Sequence, residues 1–259
     1  MKVILIGLSG AMGQEVARFI ETSDHELVAA FQEEAHHDLA YPVFNDFSEM
    51  TRYFKQNQEI KADVVIDFSH ASLTEGLMNF VQEMNLPIML ATTGQSEEQI
   101  QLIKEAAQKV AIVDTHNTSI GVTVMTQLVK SLSQTLYPLG YDIELIEKHH
   151  RHKKDAPSGT AVMLLKAAQE AINDETQPVH GREGLGDERS HQEIGIHAVR
   201  AGDIVGEHTV LFANNEEVLE VTHRAGSKQL FVKGAIQAAE FLIQGQVPGI
   251  YSMEDVLNL

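Results

Sequence analysis

Short apolar runs alternate with amphipathic stretches from the start of the chain. Residues 2–6 form a continuous run of the kind buried on both faces of a sheet. Gly7 to Gly13 is glycine-rich, and Met12, Val16, Phe19 and Ile20 then recur at helical spacing. Leu27 to Phe31 is a second apolar run, which completes a strand–helix–strand unit. Ala62 to Asp67 predicts a strand, and Leu73, Leu77, Phe80, Val81 and Met84 mark a helix. Pro87 to Ala91 and Val110 to Val113 predict further strands. Between them Ser96-Glu97-Glu98-Gln99 has the pattern of a capping box opening a helix. Strands alternating with helices predict a Rossmann-like, doubly wound parallel sheet.

The pattern then changes. Val122 to Leu136 predicts a helix with Met125, Leu128, Val129, Leu132 and Leu136 inward. Asp142 to Glu147 predicts a strand and Ala161 to Ile172 a helix. Asn173 to Ser190, polar and glycine-rich, reads as a solvated loop. Residues 192–200, 206–213 and 217–224 are β-rich runs separated by short turns, which predicts antiparallel pairing. Ala235 to Ile243 is a closing helix. Two domains are expected: an α/β domain of residues 1–117 plus 228–259, and an α+β domain of 118–227 whose open sheet is mixed and largely antiparallel.

Composition narrows the function. With 259 residues and 43% hydrophobic content, the chain is long enough for two cores. It has no cysteine, which removes disulfides and thiolate chemistry. A formal net charge of −18 disfavours nucleic acid as a partner, and any anionic substrate then needs a local cationic pocket. The N-terminal apolar run is too short for a signal peptide, and no apolar segment approaches the ~20 residues that span a bilayer. The expectation is a cytoplasmic protein without a membrane partner.

Gly7-Leu8-Ser9-Gly10-Ala11-Met12-Gly13 lies between a strand and a helix, the context in which glycines admit a pyrophosphate to a helix N-terminus. Glu33, about twenty residues on, is placed to accept the ribose 2′-OH of NADH and to repel the 2′-phosphate of NADPH. Glu33 and its neighbour Glu34 read equally as solvated acids. No arginine is adjacent in sequence, so the cofactor expectation is NADH or NADPH with a lean toward NADH.

The stretch from Glu147 to Ala161 gathers Lys148, His149, His150, Arg151, His152, Lys153 and Lys154 in an otherwise acidic protein. Pro157-Ser158-Gly159-Thr160 has helix-start chemistry, so the N–H groups of Gly159 and Thr160 are suited to a substrate carboxylate. Lys153 adds a full positive charge, and His149 or His150 is suited to carrying a proton near neutral pH. A basic surface patch is the plain alternative. A histidine metal site is a third reading, disfavoured by the flanking cations and by the His-His-x-His spacing, so no metal is expected. A metallohydrolase and a dinucleotide-sensing regulator without turnover remain the rival functions.

The Glu147–Ala161 block resembles the Glu-x-His-His-x-x-Lys-x-Asp-Ala-Pro-Ser-Gly-Thr-Ala motif of the 4-hydroxy-tetrahydrodipicolinate reductase family. The resemblance extends to Gly7–Gly13, Asp67-Phe68-Ser69, Ala91-Thr92-Thr93-Gly94, Asn117 to Val122 and Arg200 to Thr209. It implies NAD(P)H-dependent reduction of a small cyclic dicarboxylate to tetrahydrodipicolinate in diaminopimelate and lysine synthesis. It also implies a homotetramer built through the second domain's sheet. By position, His149 and Lys153 are catalytic, with His149 the proton donor, and His150, Gly159 and Thr160 bind substrate. The resemblance further implies that Gly7, Leu8, Ser9, Gly10, Ala11 and Met12 line the cofactor site, with Ala91, Thr92 and Thr93 and with Thr115, His116, Asn117 and Thr118. Departures fall on the cofactor side: Ala11 stands where the family commonly has arginine, Gln32-Glu33 replaces an acidic–basic pair, and His70 stands where a basic residue is frequent. Thr115 to Ser119 also departs from the common cofactor-loop sequence.

Overall fold

The computed structural model describes residues 1–33 and 39–259; Glu34 lies outside them. Elements in chain order are β1 (Lys2–Ile6), α1 (Ala11–Glu21), β2 (Glu26–Phe31), β3 (Val43–Phe44), α2 (Phe47–Gln56), β4 (Val64–Asp67), α3 (Thr74–Met84), β5 (Ile88–Leu90), α4 (Glu97–Ala106) and β6 (Ala111–Asp114). They continue with α5 (Ile120–Leu136), β7 (Asp142–His149), α6 (Gly159–Ala171), β8 (Gln177–His180), β9 (Glu193–Arg200), β10 (Glu207–Ala213), β11 (Val218–Arg224), α7 (Gln229–Leu242), β12 (Gly249–Tyr251) and α8 (Met253–Leu257). The chain divides into two compact units, Met1–Ile120 with Lys228–Asn258, and Gly121–Ser227 with the terminal Leu259.

In the first unit a seven-stranded sheet has the order β12-β6-β5-β4-β1-β2-β3, and every pairing is parallel. Its strands carry apolar residues on both sides because both faces are covered. Val3, Leu5, Val64 and Ile66 pack with Val16 and Ile20 of α1 and with Val232, Ala235 and Ala239 of α7. Ile4, Ile6, Val65 and Ile88 pack on the other face with Met50, Leu77, Phe80 and Ile103 of α2, α3 and α4. The capping box of α4 forms as its sequence predicts: Ser96 Oγ accepts from the Gln99 N–H while the Gln99 side chain accepts from the Ser96 N–H. Three features have no counterpart in the sequence reading: β3, α2 and the β12–α8 ending. The closing helix also starts at Gln229 rather than Ala235.

In the second unit a five-stranded mixed sheet has the order β11-β10-β7-β9-β8. Helices α5 and α6 cover one face, through Met125, Val129, Leu164 and Ala168 against Ile143, Leu145, Ile194 and Phe212. Strand β7 alternates strictly, with Ile143, Leu145, Glu147 and His149 buried and the residues between them half-buried. Antiparallel pairing holds for β10 with β11 but not for β9 with β10. Strand β7 lies between those two, antiparallel to β10 and parallel to β9. The connection through α6 carries the chain back over the sheet, so β9 runs in the direction of β7. The stretch 173–190 is not a plain loop either. It contains β8, parallel to β9, and Arg182 and Arg189 both donate to Glu144 on β7. Leu128, expected inward, is 47% exposed: the buried stripe of α5 runs Val122, Met125, Val129, Ser133, and one residue's rotation of 100° takes Leu128 off it.

Candidate active site

The first unit assembles its candidate residues at the carboxyl ends of adjacent strands, where this architecture binds ligands. The β1–α1 turn is built by glycines. Gly7 has φ of +88°, the left-handed region that side chains avoid. A Cβ at Gly13 would lie 2.0 Å from the Gly7 carbonyl oxygen, so only glycine lets α1 pack on β1. Helix α1 begins at Ala11 with Gly10 as N-cap and no side chain on its terminal N–H groups, a cradle that fits a dinucleotide pyrophosphate. Next to it a cavity of about 600 Å³ is lined by Leu8, Ser9, Gln14, Arg18, Gln32 and Glu33, among others. The sequence reading found no arginine beside Glu33. The fold brings one: Arg18, one helical face along α1, lines the same cavity, where it donates to Glu15 at 2.7 Å.

Ala91, Thr92 and Thr93 follow β5, and Thr115, His116, Asn117 and Thr118 follow β6. Two of these side chains point inward. The Thr92 hydroxyl donates to the fully buried Asp67 at 2.6 Å, and the Thr118 hydroxyl donates to the Phe231 carbonyl at 2.7 Å. Thr93 and His116 are exposed and Ala91 half-buried. Asp67, at the end of β4, also accepts from the Ser69 N–H at 3.1 Å. It joins the end of β4 to the loop after β5, and burial pushes its carboxyl up.

In the second unit His149 ends β7 and is buried, with its side chain 11% exposed. Its Nδ1 lies 2.6 Å from Glu147 Oε2. Glu147 is fully buried, where desolvation alone would raise its carboxyl. The Arg200 guanidinium, the His149 ring and the Ser158 N–H outweigh that and hold it below the usual glutamate value. Arg200 contributes a two-pronged fork at 2.7 Å to each oxygen. An ionised carboxylate only accepts, so Nδ1 of His149 carries the hydrogen and donates it. Nε2 is left for chemistry. It faces Gly206, where a Cβ would stand 3.1 Å from it.

Lys153 bonds the His150 carbonyl through its backbone N–H at 3.1 Å, and its Nζ lies 2.9 Å from Asp155. Ser158 caps α6 by accepting from the Ala161 N–H, which puts Gly159 and Thr160 in the first turn. Ser158 Oγ also shares a hydrogen bond with His208 Nε2 at 2.9 Å, and the His208 ring meets the His149 ring edge-on at 5.1 Å. The structure thus brings His149, Lys153, Gly159 and Thr160 to one corner of the sheet. His150 is half-buried with Nδ1 unpartnered. Among the described residues no three His, Cys, Asp or Glu side chains gather as metal ligands, and no helix is long and apolar enough to cross a membrane. Glu147, Ser158, Arg200 and His208 stand in the sequence only as members of longer motifs; the alternation of β7, which turns a glutamate and a histidine inward together, is the signal for the first.

A dinucleotide-type sheet followed by a unit with a buried carboxylate–imidazole pair is an arrangement that fits an NAD(P)H-dependent oxidoreductase. The family follows from comparison. Residues 1–118 match the family model described as "Dihydrodipicolinate reductase, N-terminus" and residues 121–257 the one described as "Dihydrodipicolinate reductase, C-terminus", so the chain belongs to the dihydrodipicolinate reductase family. It is 40% identical over 259 residues to the 4-hydroxy-tetrahydrodipicolinate reductase of Caldanaerobacter subterraneus subsp. tengcongensis, covering 100% of this chain and 98% of that one. It is 41% identical over 256 residues to the enzyme of the same name from Staphylococcus saprophyticus, covering 99% and 100%. The dipicolinate-bound dihydrodipicolinate reductase from Paenisporosarcina sp. TG-14 has the same fold, with TM-score 0.79, 22% identity and 98% of each chain covered.

Proposed function

We propose that the chain reduces 4-hydroxy-tetrahydrodipicolinate, or its dehydrated form dihydrodipicolinate, to tetrahydrodipicolinate in diaminopimelate and lysine synthesis, with His149 as the proton donor. The observation that carries this reading is the His149–Glu147 bond of 2.6 Å in a buried corner beside Lys153 and the start of α6. A cyclic dicarboxylate, the class bound by the structural relative, suits that corner: Lys153 and the first-turn N–H groups of α6 offer positive potential to carboxylates, and His150 borders them.

Gly7 to Met12, Glu33, Ala91 to Thr93 and Thr115 to Thr118 would hold the dinucleotide, whose chemistry there would be hydride donation. When the ring's conjugated carbon–carbon double bond is reduced, the carbon next to the newly saturated one becomes electron-rich. His149, charged and anchored through Nδ1 to Glu147, gives that carbon the proton on Nε2 and is left neutral, while Lys153 offsets the negative charge of the substrate. The open face of the second unit's sheet exposes Val199 and Val218, apolar surface that copies of the chain would cover in a homotetramer. A cytoplasmic location goes with this biosynthetic role.

Replacing His149 by Gln tests the assignment. Turnover is expected to fall 100- to 10,000-fold, the usual contribution of a general acid, with a modest change in KM. Wild-type turnover in that variant refutes it.

A further inference from the structure

Glu147 does more than orient an imidazole. Its two oxygens take four donors from three separate parts of the second unit. Oε2 accepts from His149 Nδ1 at 2.6 Å and from Arg200 at 2.7 Å. Oε1 accepts from Arg200 at 2.7 Å and from the Ser158 backbone N–H at 3.1 Å. Ser158 is the N-cap of α6, so this last bond fixes where the helix starts and where the Gly159 and Thr160 N–H groups point. Arg200 in turn donates to the Asp155 carbonyl at 2.6 Å, which ties down the segment between Lys153 and the helix.

We infer that Glu147 is a positioning residue coupling the proton donor to the substrate-binding helix end, with Arg200 holding the carboxylate that does it. The inference rests on the reading of His149 and α6 given above. It goes further in saying that one side chain sets both, so that a single loss damages proton transfer and ligand affinity together.

Two features make the coupling stiff. Glu147 is fully buried, and all four of its bonds are charge-assisted, which makes them stronger than neutral ones. His208 packs against the same hub, bonded to Ser158 Oγ at 2.9 Å and edge-on to His149, so neither the ring nor the helix end has room to drift. A carboxylate on an inward strand position, satisfied on every side, has no other evident use. An apolar side chain there would cost less to bury.

The test removes the charge pair as a unit, because Glu147→Gln alone strands the buried Arg200 and risks unfolding. The double variant Glu147→Gln/Arg200→Met is compared with His149→Gln and wild type, all as full-length protein. Three readouts are taken: thermal midpoint, kcat with NADH, and Kd for dipicolinate, a substrate-like dicarboxylate that is not reduced. In the folded double variant kcat is expected to fall at least 100-fold and dipicolinate Kd to rise at least tenfold, whereas His149→Gln loses kcat and keeps dipicolinate Kd. A single Glu147→Asp variant keeps the charge and Arg200 but shortens the reach; it should show the same joint loss in milder form. If the double or the Asp variant folds and keeps wild-type dipicolinate affinity, the coupling is refuted, whatever kcat does. If His149→Gln turns over at the wild-type rate, the proton-donor reading fails instead, and the dipicolinate readout still decides the helix-positioning half.

Discussion

The sharpest quantitative consequence concerns His208. It is 4% exposed, and its Nδ1 is buried without a partner. Its pKa is lowered from 6.5 to about 4, first by burial, then by the charge of His149, with His223 and Lys153 adding and Glu147 opposing. Below pH 6.5 the unfolded chain takes a proton at this histidine that the folded one refuses. Stability is therefore complete above pH 6.5, falls as pH drops, and levels off near pH 4. At about 1.4 kcal/mol per pH unit, the full window is worth about 3 kcal/mol. His208→Gln keeps an amide able to bond Ser158 but cannot titrate. Urea unfolding of both proteins between pH 7.5 and 4.5 reads the effect as a difference, in which titrating groups that do not interact with His208 cancel. The wild type should lose about 2.5 kcal/mol relative to the variant across that range. Parallel profiles would refute the burial of a neutral imidazole at this position.

Two further outcomes follow from close contacts. Gly206→Ala places a methyl group 3.1 Å from His149 Nε2. Because Glu147 holds the ring on its other side, kcat should fall about tenfold by misplacement of the donor, with a thermal midpoint close to wild type; unchanged kcat would show that Nε2 is not the working atom. The cavity beside the glycine loop is lined by both Glu33 and Arg18, the latter an exposed side chain already paired with Glu15. Catalytic efficiency with NADH should exceed that with NADPH, and Arg18→Ala should lower the NADPH value while leaving NADH unchanged. A large NADPH preference in the wild type refutes the role given to Glu33.

The nucleotide-type sheet was legible because its strands are continuous apolar runs, each followed by a turn signal or a capped helix. What escaped was too short or too polar to show a period. Strand β12 has three residues and β3 two. Helix α2 buries only Met50, Thr51 and Phe54 among polar neighbours, although Asp46 caps it by accepting from the Glu49 N–H at 2.8 Å. The order of the second sheet was not legible, since β-rich runs adjacent in sequence give no hint that β7 inserts between β9 and β10. The same insertion explains the site residues that were missed. Arg200 and His208 lie on β9 and β10, the two neighbours of β7, opposite His149 and Glu147 in register. Sequence distance of about fifty residues conceals a contact that strand pairing makes direct.

That register also resolves how a chain of net charge −18 can hold a doubly negative ring. Arg200 is neutralised by the buried Glu147 and offers little charge to a ligand. The usable positive potential then comes from Lys153 and from the end of α6. Lys153 is paired with Asp155, whose side chain is 59% exposed; the lysine's hydrogen bond is the main reason that carboxyl is held below the usual aspartate value. An ion pair this exposed is worth under about 1 kcal/mol, so a substrate carboxylate can replace Asp155 at small cost and meet the same ammonium. On the proposed assignment Asp155 keeps Lys153 in place between turnovers and gives way when the ring arrives. The strongly held carboxylate, Glu147, and the weakly held one, Asp155, thus divide two tasks that one acid does not perform: fixing the donor, and yielding to the substrate.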